Sequence, residues 1–412
     1  MKNPSLQIKN AKLFTENGLI KKKIYLTSDG LISFKKIDVE GILDAHGWVI
    51  FPNFVNAHTH LNEAFCPLPT DKDSRDLWVN QVYALTSVMD KKVHENAVTF
   101  FCLEMISSGM SYVFSQELNF ATKYFGNTLD ILNKFGLKGV ISKDYTDLDT
   151  LEHFKNREKF LHSLQQIEKK YCRKIALAIG LIGNLKLEES WQMLKYLQDN
   201  GYYIHTHLAE RPQTKSRELQ ILLAKGILNK NLLLSHGIYL NNLELALIKK
   251  NGGLLCLNLT SNKNLVKKLP PLKKIVNKDI PILFGTDGGA SYTDFFLELN
   301  LFGSSTKMKI IDIEKKILHN SLLKSLKIGR LSEGYPADIF LVEESHIENL
   351  RPNNIRMMWI DGKIVISDYK FTMDVIGMFK NASSSMKTLS KKTGIYLQTD
   401  FNERIERLKF RI

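Results

Sequence analysis

The sequence predicts a (β/α)8 barrel, TIM-like, carrying a small β-sandwich built from both ends of the chain. Three observations predict it. Eight short apolar runs recur between residues 49 and 287, stretches with helical periodicity separate them, and the flanks instead hold short strands bounded by turn residues. With 412 residues, 44% of them hydrophobic, the chain can bury an ample core without covalent staples, which excludes a disordered or fibrous protein.

The barrel strands are expected, in order, at residues 49–57, 110–115, 137–142, 175–181, 202–208, 232–236, 253–259 and 280–287. Their near-continuous apolar character means burial on both faces, as in a parallel sheet wrapped by helices. Helical spacing at 96–107, 151–170, 188–199, 217–225 and 243–250 supplies the wrapping layer. Eight βα units close a barrel, and in such barrels the active site sits at the C-terminal rim of the strands. The barrel is therefore assigned to residues 49–328. Residues 1–48 and 329–370, with turns at Ser28-Asp29-Gly30, Gly334-Tyr335-Pro336 and Asp361-Gly362, form one composite β unit, and residues 371–412 are an extension, helical or loose, with no assigned role.

Fifty-seven basic residues against 43 acidic ones give a formal charge of +14. The lysines are scattered in twos and threes with no RNA- or DNA-binding motif around them, which argues for solvated helix faces and against nucleic acid. The four cysteines, Cys66, Cys102, Cys172 and Cys256, form no C-x-x-C pair, so neither a disulfide framework nor a thiolate zinc site is indicated and a reducing cytoplasm is expected. The first ten residues lack the apolar core of a signal peptide, and no apolar run approaches the roughly 18 residues of a membrane span.

The rim positions carry the chemistry. The first strand ends in His58-Thr-His60, whose alternating side chains share the inward face. The fifth ends His205-Thr-His207-Leu-Ala-Glu210, the sixth Ser-His236-Gly, and the eighth Gly-Thr-Asp287-Gly. Imidazole and carboxylate suit a borderline divalent ion, and three histidines with one aspartate leave an open position for water.

With these motifs, together with Pro52-x-Phe-Val-Asn-Ala-His-Thr-His and Gly329-Arg-Leu-Ser-Glu-Gly-Tyr-Pro-Ala-Asp338, the chain resembles the amidohydrolase superfamily. The resemblance is to its branch of cytosine, guanine and adenosyl-compound deaminases and related chlorohydrolases, and it spans nearly the whole chain. It implies that His58, His60, His207 and Asp287 bind one divalent metal ion, zinc or iron, and that Glu210, His236 and Asp287 are catalytic. A cation can lower the pKa of a bound water from about 15.7 to about 7. Asp287 would take its proton, His236 would orient it, and Glu210 would protonate a ring nitrogen of a small heterocyclic substrate as ammonia leaves. Hydrolysis of another C–N bond or a C–Cl bond is the alternative, and a non-catalytic polyanion-binding barrel a more distant one. Barrels of this type often pair, so a homodimer is compatible, although no interface pattern stands out.

Further details bear on the resemblance. The binuclear branch's lysine at the end of the fourth strand is absent, since the only lysine there, Lys174, is at the wrong end, so a mononuclear site is expected; Lys143 is a bridge only if the strand count slips. The branch's His-Ala-Pro-Tyr stretch is replaced by Leu181-Ile-Gly-Asn184, which puts adenosyl-type substrates in doubt. Strand seven ends Leu259-Thr-Ser261-Asn262, for which turn capping and substrate contact are both open. His205 reads as a core histidine or a support for a ligand, and the loop 62–78 as a covering segment in which Trp78 either stacks on a flat ring or packs.

Overall fold

In a computed structural model, which describes residues 3–70, 74–171, 174–212, 217–318 and 320–412, eight parallel strands form one sheet in sequential order. They are Phe54–Thr59, Met110–Glu117, Lys138–Asp144, Lys174–Ile179, Tyr203–Leu208, Leu232–His236, Leu254–Leu257 and Ile282–Phe284. All but a few of their residues are buried, as the apolar runs require. The first and last strands meet through side chains: Asn56 Oδ1 accepts from Thr286 N (3.0 Å) and Asn56 Nδ2 donates to Thr286 Oγ1 (2.8 Å). Gly285 permits the approach, because a Cβ there would stand 2.5 Å from the backbone nitrogen of His58. This is the expected TIM-type barrel.

The remaining strands form two sheets. One has four strands, with Leu6–Lys9 and Ile24–Leu26 at its centre; the other has seven and joins Lys12–Thr15 and Trp48–Pro52 from the N-terminal side to Ile339–Glu343 and Met357–Ile360 from the C-terminal side. Ile8, Leu26, Ile50, Leu341 and Trp359 meet in a separate apolar core between them, so both ends of the chain contribute to the sandwich.

Several local expectations change. The single strand expected at 49–57 divides: Trp48–Pro52 pairs with Ile339–Glu343 in the sandwich, and only Phe54–Thr59 enters the barrel. Asn53, whose Nδ2 donates to the Trp359 carbonyl (2.8 Å), marks the transfer point, and an unbroken apolar run gives no sign of it. The helix expected at 151–170 is broken by a 3-10 turn, Phe154–Asn156, between Asp147–His153 and Arg157–Tyr171. Strand seven ends early because the helix Leu259–Leu265 begins where the sequence reads as strand; the buried Glu298 carboxylate accepts from Leu259 N (2.6 Å) and Thr260 N (3.1 Å) and satisfies that helix start. Cys172 lies outside the described residues, whereas Cys66, Cys102 and Cys256 are buried and form no disulfide among the described residues.

The extension forms two helices, Ile376–Thr393 and Gln398–Lys409. Arg404, 1% exposed, donates to both carboxylate oxygens of Glu104 (3.1 Å each) and to the carbonyls of Gly289 (3.2 Å) and Ser291 (2.8 Å). Asp400 accepts from Leu68 N (3.0 Å). The second helix thus braces two rim loops, those that follow the first and eighth barrel strands. Among the described residues no helix is long and apolar enough to cross a membrane.

Candidate active site

The strand register brings His58, His60, His207, His236 and Asp287 to one point at the barrel mouth. Ligand-capable atoms of His58, His60 and His207 lie within 4.8 Å of one another, as do those of His58, His236 and Asp287. Asp287 Oδ1 is 3.3 Å from His58 Nε2 and 3.5 Å from His60 Nε2. Bonds of about 2.0–2.2 Å to a shared cation place ligand atoms about 3–4 Å apart, so the spacing fits a metal ion.

The second nitrogen of each ring is already committed. His60 Nδ1 meets the Gln116 carbonyl (2.9 Å), His207 Nδ1 the Gly180 carbonyl (2.7 Å), and His236 Nδ1 the Asn262 side-chain oxygen (2.8 Å). His58 Nδ1 lies 3.0 Å from His205 Nε2, which is also 3.0 Å from Ser235 Oγ. These partners fix ring orientation and tautomer and leave the Nε2 atoms facing one another. His58 Nε2 and His236 Nε2 are buried and make no hydrogen bond among the described residues, which is costly unless something else takes their lone pairs.

Electrostatics agree with the donor set. Burial holds His58 and His207 well below the ordinary imidazole range, so both rings are neutral and their lone pairs available. Burial also opposes the charge of His60, but Glu63 and Asp287 beside it draw its pKa upward. Burial alone would raise the Asp287 carboxyl; the adjacent His58, His236 and His60 hold it well below the usual range. Ser261 Oγ donates to Asp287 Oδ2 (2.5 Å), leaving Oδ1 toward the histidines. Both Asp287 (φ +63°) and His236 (φ +74°) occupy the left-handed region, a strained geometry that non-glycine residues rarely hold without surrounding support.

A cavity of about 570 Å3 opens from this point, lined by His60, Trp78, Asn184, His207, Glu210 and Asp287 among others. Glu210 stands across it. Burial would raise its pKa, but His236 and Arg75 outweigh burial and keep the carboxyl below its ordinary value. Trp78, 5% exposed, has its ring nitrogen tied to the Pro67 carbonyl (2.8 Å) and one face on the cavity, so packing and lining coincide.

All six residues singled out from the sequence therefore meet at one site. His205 is the support beneath His58. Lys143 instead pairs with Asp149 (3.9 Å), and Lys174 with Glu168 (3.5 Å), so neither lysine reaches the cluster. Ser261 and Asn262, expected at a strand end as turn caps or substrate contacts, lie instead in the helix Leu259–Leu265 and touch Asp287 and His236 directly. Arg75 and Glu63 gave no sequence signal; Glu63 Oε2 accepts from Gly289 N (3.2 Å), and a Cβ on Gly288 would stand 1.8 Å from that same oxygen.

Known proteins match this architecture. The sequence profile of the amidohydrolase family matches residues 49–365. The chain is 22% identical over 403 residues to a 5'-deoxyadenosine deaminase of Methanobrevibacter smithii, covering 86% of this chain and 89% of that one. It is 24% identical over 424 residues to a 5-methylthioadenosine/S-adenosylhomocysteine deaminase of Archaeoglobus fulgidus, covering 93% and 96%. Among solved structures, an adenosine deaminase from Xanthomonas campestris with bound zinc superposes with a TM-score of 0.80 at 16% identity, over 94% of this chain and 98% of that one. An atrazine chlorohydrolase from Arthrobacter aurescens complexed with zinc superposes at 0.77 and 15%, over 92% and 100%. The chain belongs to the amidohydrolase family and is a hydrolase acting on non-peptide carbon–nitrogen bonds.

Proposed function

We propose that this hydrolase is a metal-dependent aminohydrolase that removes an exocyclic amine from an aromatic nitrogen heterocycle. The convergence of His58, His60, His207 and Asp287, each already oriented by a second partner, carries the reading. The deaminase relatives and the zinc-bearing neighbours support it. A single divalent ion, zinc or iron, held by these four residues would supply Lewis-acid activation of water near neutral pH.

The overall change is R–C(NH2)=N–R′ plus water giving R–C(=O)–NH–R′ plus ammonia, and this chain's residues manage its two protons. Glu210 rests as a carboxylate and relays the first proton from the attacking water to the ring nitrogen. His236, with Nδ1 donating to Asn262, presents a bare Nε2 that accepts from that water and aims it at the ring carbon. Asp287 takes the proton of the resulting hydroxyl and passes it to the departing amine, while Ser261 stabilises its charge. The tetrahedral carbon then collapses to the oxo product.

Ammonia release from purified, metal-replete protein across amino-substituted purines, pyrimidines and triazines tests the reading. Turnover that falls together with bound metal supports it. Chloride release from a chlorotriazine with no ammonia from any amine would replace it with a chlorohydrolase.

A further inference from the structure

We propose that Glu63 selects the leaving group: its carboxylate accepts from an N–H of the departing amine and so favours release of an amine over release of a halide. The inference rests on the aminohydrolase reading and deepens it. Glu63 lies in the 3-10 turn Leu61–Phe65, directly after the first barrel strand, where its backbone N–H donates to the His60 carbonyl (3.1 Å). It lines the cavity with His60 and Asp287, and none of the proton transfers assigned to Glu210, His236 and Asp287 uses it.

The two oxygens of this carboxylate are not equivalent. Oε2 accepts from Gly289 N (3.2 Å) and rests against Gly288, where a Cβ would stand 1.8 Å away, so only a glycine after Asp287 leaves room for it. Oε1 accepts nothing among the described residues. It is not one of the enclosed orphan atoms, as His58 Nε2 and His236 Nε2 are, so it opens on the cavity that Glu63 lines. Burial raises the pKa of the carboxyl, and an N–H brought to Oε1 stabilises the charged form against that burial.

Position decides which N–H this acceptor meets. Gly288 and Gly289 directly follow Asp287, so the carboxylates of Glu63 and Asp287 sit side by side, with Glu210 across the cavity. The amine that Asp287 protonates therefore departs on the side of Glu63. Asp287 delivers its proton to the nitrogen, the C–N bond breaks with its electron pair moving to nitrogen, and ammonia leaves. Glu63 accepts from one N–H throughout and transfers no proton. Because the nitrogen becomes cationic when protonated, the contact strengthens toward the transition state and raises the rate of the step. A chloride has no N–H and leaves as an anion, so the same carboxylate repels it.

Glu63→Gln tests this. Gly289 N–H needs an acceptor, so the amide oxygen takes the Oε2 position and the NH2 group replaces Oε1, turning the cavity-facing acceptor into a donor. Matched pairs are 6-aminopurine against 6-chloropurine, 4-aminopyrimidine against 4-chloropyrimidine, and 2-amino- against 2-chloro-1,3,5-triazine, with kcat/KM taken from ammonia or chloride release by the metal-replete protein. The wild type is expected to favour the amine, and Glu63→Gln to lower the amine-to-chloride ratio about 100-fold, by loss on the amine and gain on the chloride. Glu63→Asp, which keeps the charge, should fall between. Calorimetry with 6-amino- and 6-chloro-1-deazapurine, whose ring lacks the nitrogen that Glu210 protonates, reads the same preference in the metal-replete protein without turnover. If the wild type releases no ammonia, yet chloride release rises about tenfold or more in Glu63→Gln, the aminohydrolase reading fails while the role of Glu63 stands. An amine-to-chloride ratio in Glu63→Gln within about threefold of the wild type, or a binding preference for the amino ligand that is absent or survives the substitution, overturns the inference.

Discussion

The two walls of the cavity are built differently. On one, His58, His207 and His236 stand on barrel strands and His60 just past the end of the first, and their rings are steadied by neighbouring groups: the carbonyls of Gln116 and Gly180, the side chain of His205, and that of Asn262 in the helix after the seventh strand. On the other, Arg75 reaches Glu210 across 135 residues of sequence, and outside the cavity lining Arg404 likewise reaches Glu104 across 300 to hold the rim loops. The first wall is positioned by sheet register, which periodicity fixes locally. The second is positioned by buried charges meeting at long range, and it exists only once the fold is complete.

This contrast predicts where the molecule breaks. The largest effect on stability is expected at the brace of the rim loops: Arg404→Met leaves Glu104 buried and without its cation, for a loss of about 3–5 kcal/mol. The double variant Arg404→Met/Glu104→Gln should recover much of it in denaturant unfolding. Recovery by the pair but not by the single change would confirm that charge pairing, rather than helix docking alone, holds the extension.

At the strand-borne wall the damage should appear in chemistry instead. Asn262→Ala frees the His236 ring and is expected to lower kcat/KM about 10–100-fold, with an unfolding midpoint near that of the wild type. A loss of stability without a loss of rate would make Asn262 a packing residue and erase the distinction between the walls.

A third variant separates both from the scaffold. Glu314 is buried in the helix Ile310–Leu318, its Oε1 has no partner among the described residues, and burial pushes its pKa up to about 8. Between its ordinary 4.5 and that value the folded chain holds a proton that the unfolded chain has lost. The group's contribution to stability is therefore intact at low pH and declines as pH rises through this window. Glu314→Gln should gain on the wild type by up to about 1.4 kcal/mol per pH unit between pH 5 and 8, read from unfolding curves at each pH; parallel curves would contradict the assignment. Smallest of all, Asn241→Ala removes one half of the capping box with Glu244 and should cost about 1 kcal/mol with no change in rate.

The same contrast explains what the sequence reveals. The eight-stranded sheet and the six rim residues are legible because alternation and strand-end position are local properties of His58-Thr-His60 or Ser-His236-Gly. The handover at Asn53, between a sandwich strand and a barrel strand, is hidden because both sides of it are equally apolar. Ser261 and Asn262 are visible as a strand-end pair, but their partners, Asp287 and His236, are set by where neighbouring strands end. Arg75 and Arg404 are single basic residues in a chain with 57 of them, and nothing nearby marks the first as half-buried or the second as buried.

The most direct test of the central claim is metal content measured alongside ammonia release in the wild type and in His207→Ala. One equivalent of divalent metal per chain, with both metal and turnover lost in the variant, is the predicted result. Full turnover in metal-free protein, or unchanged metal binding in His207→Ala, would contradict it.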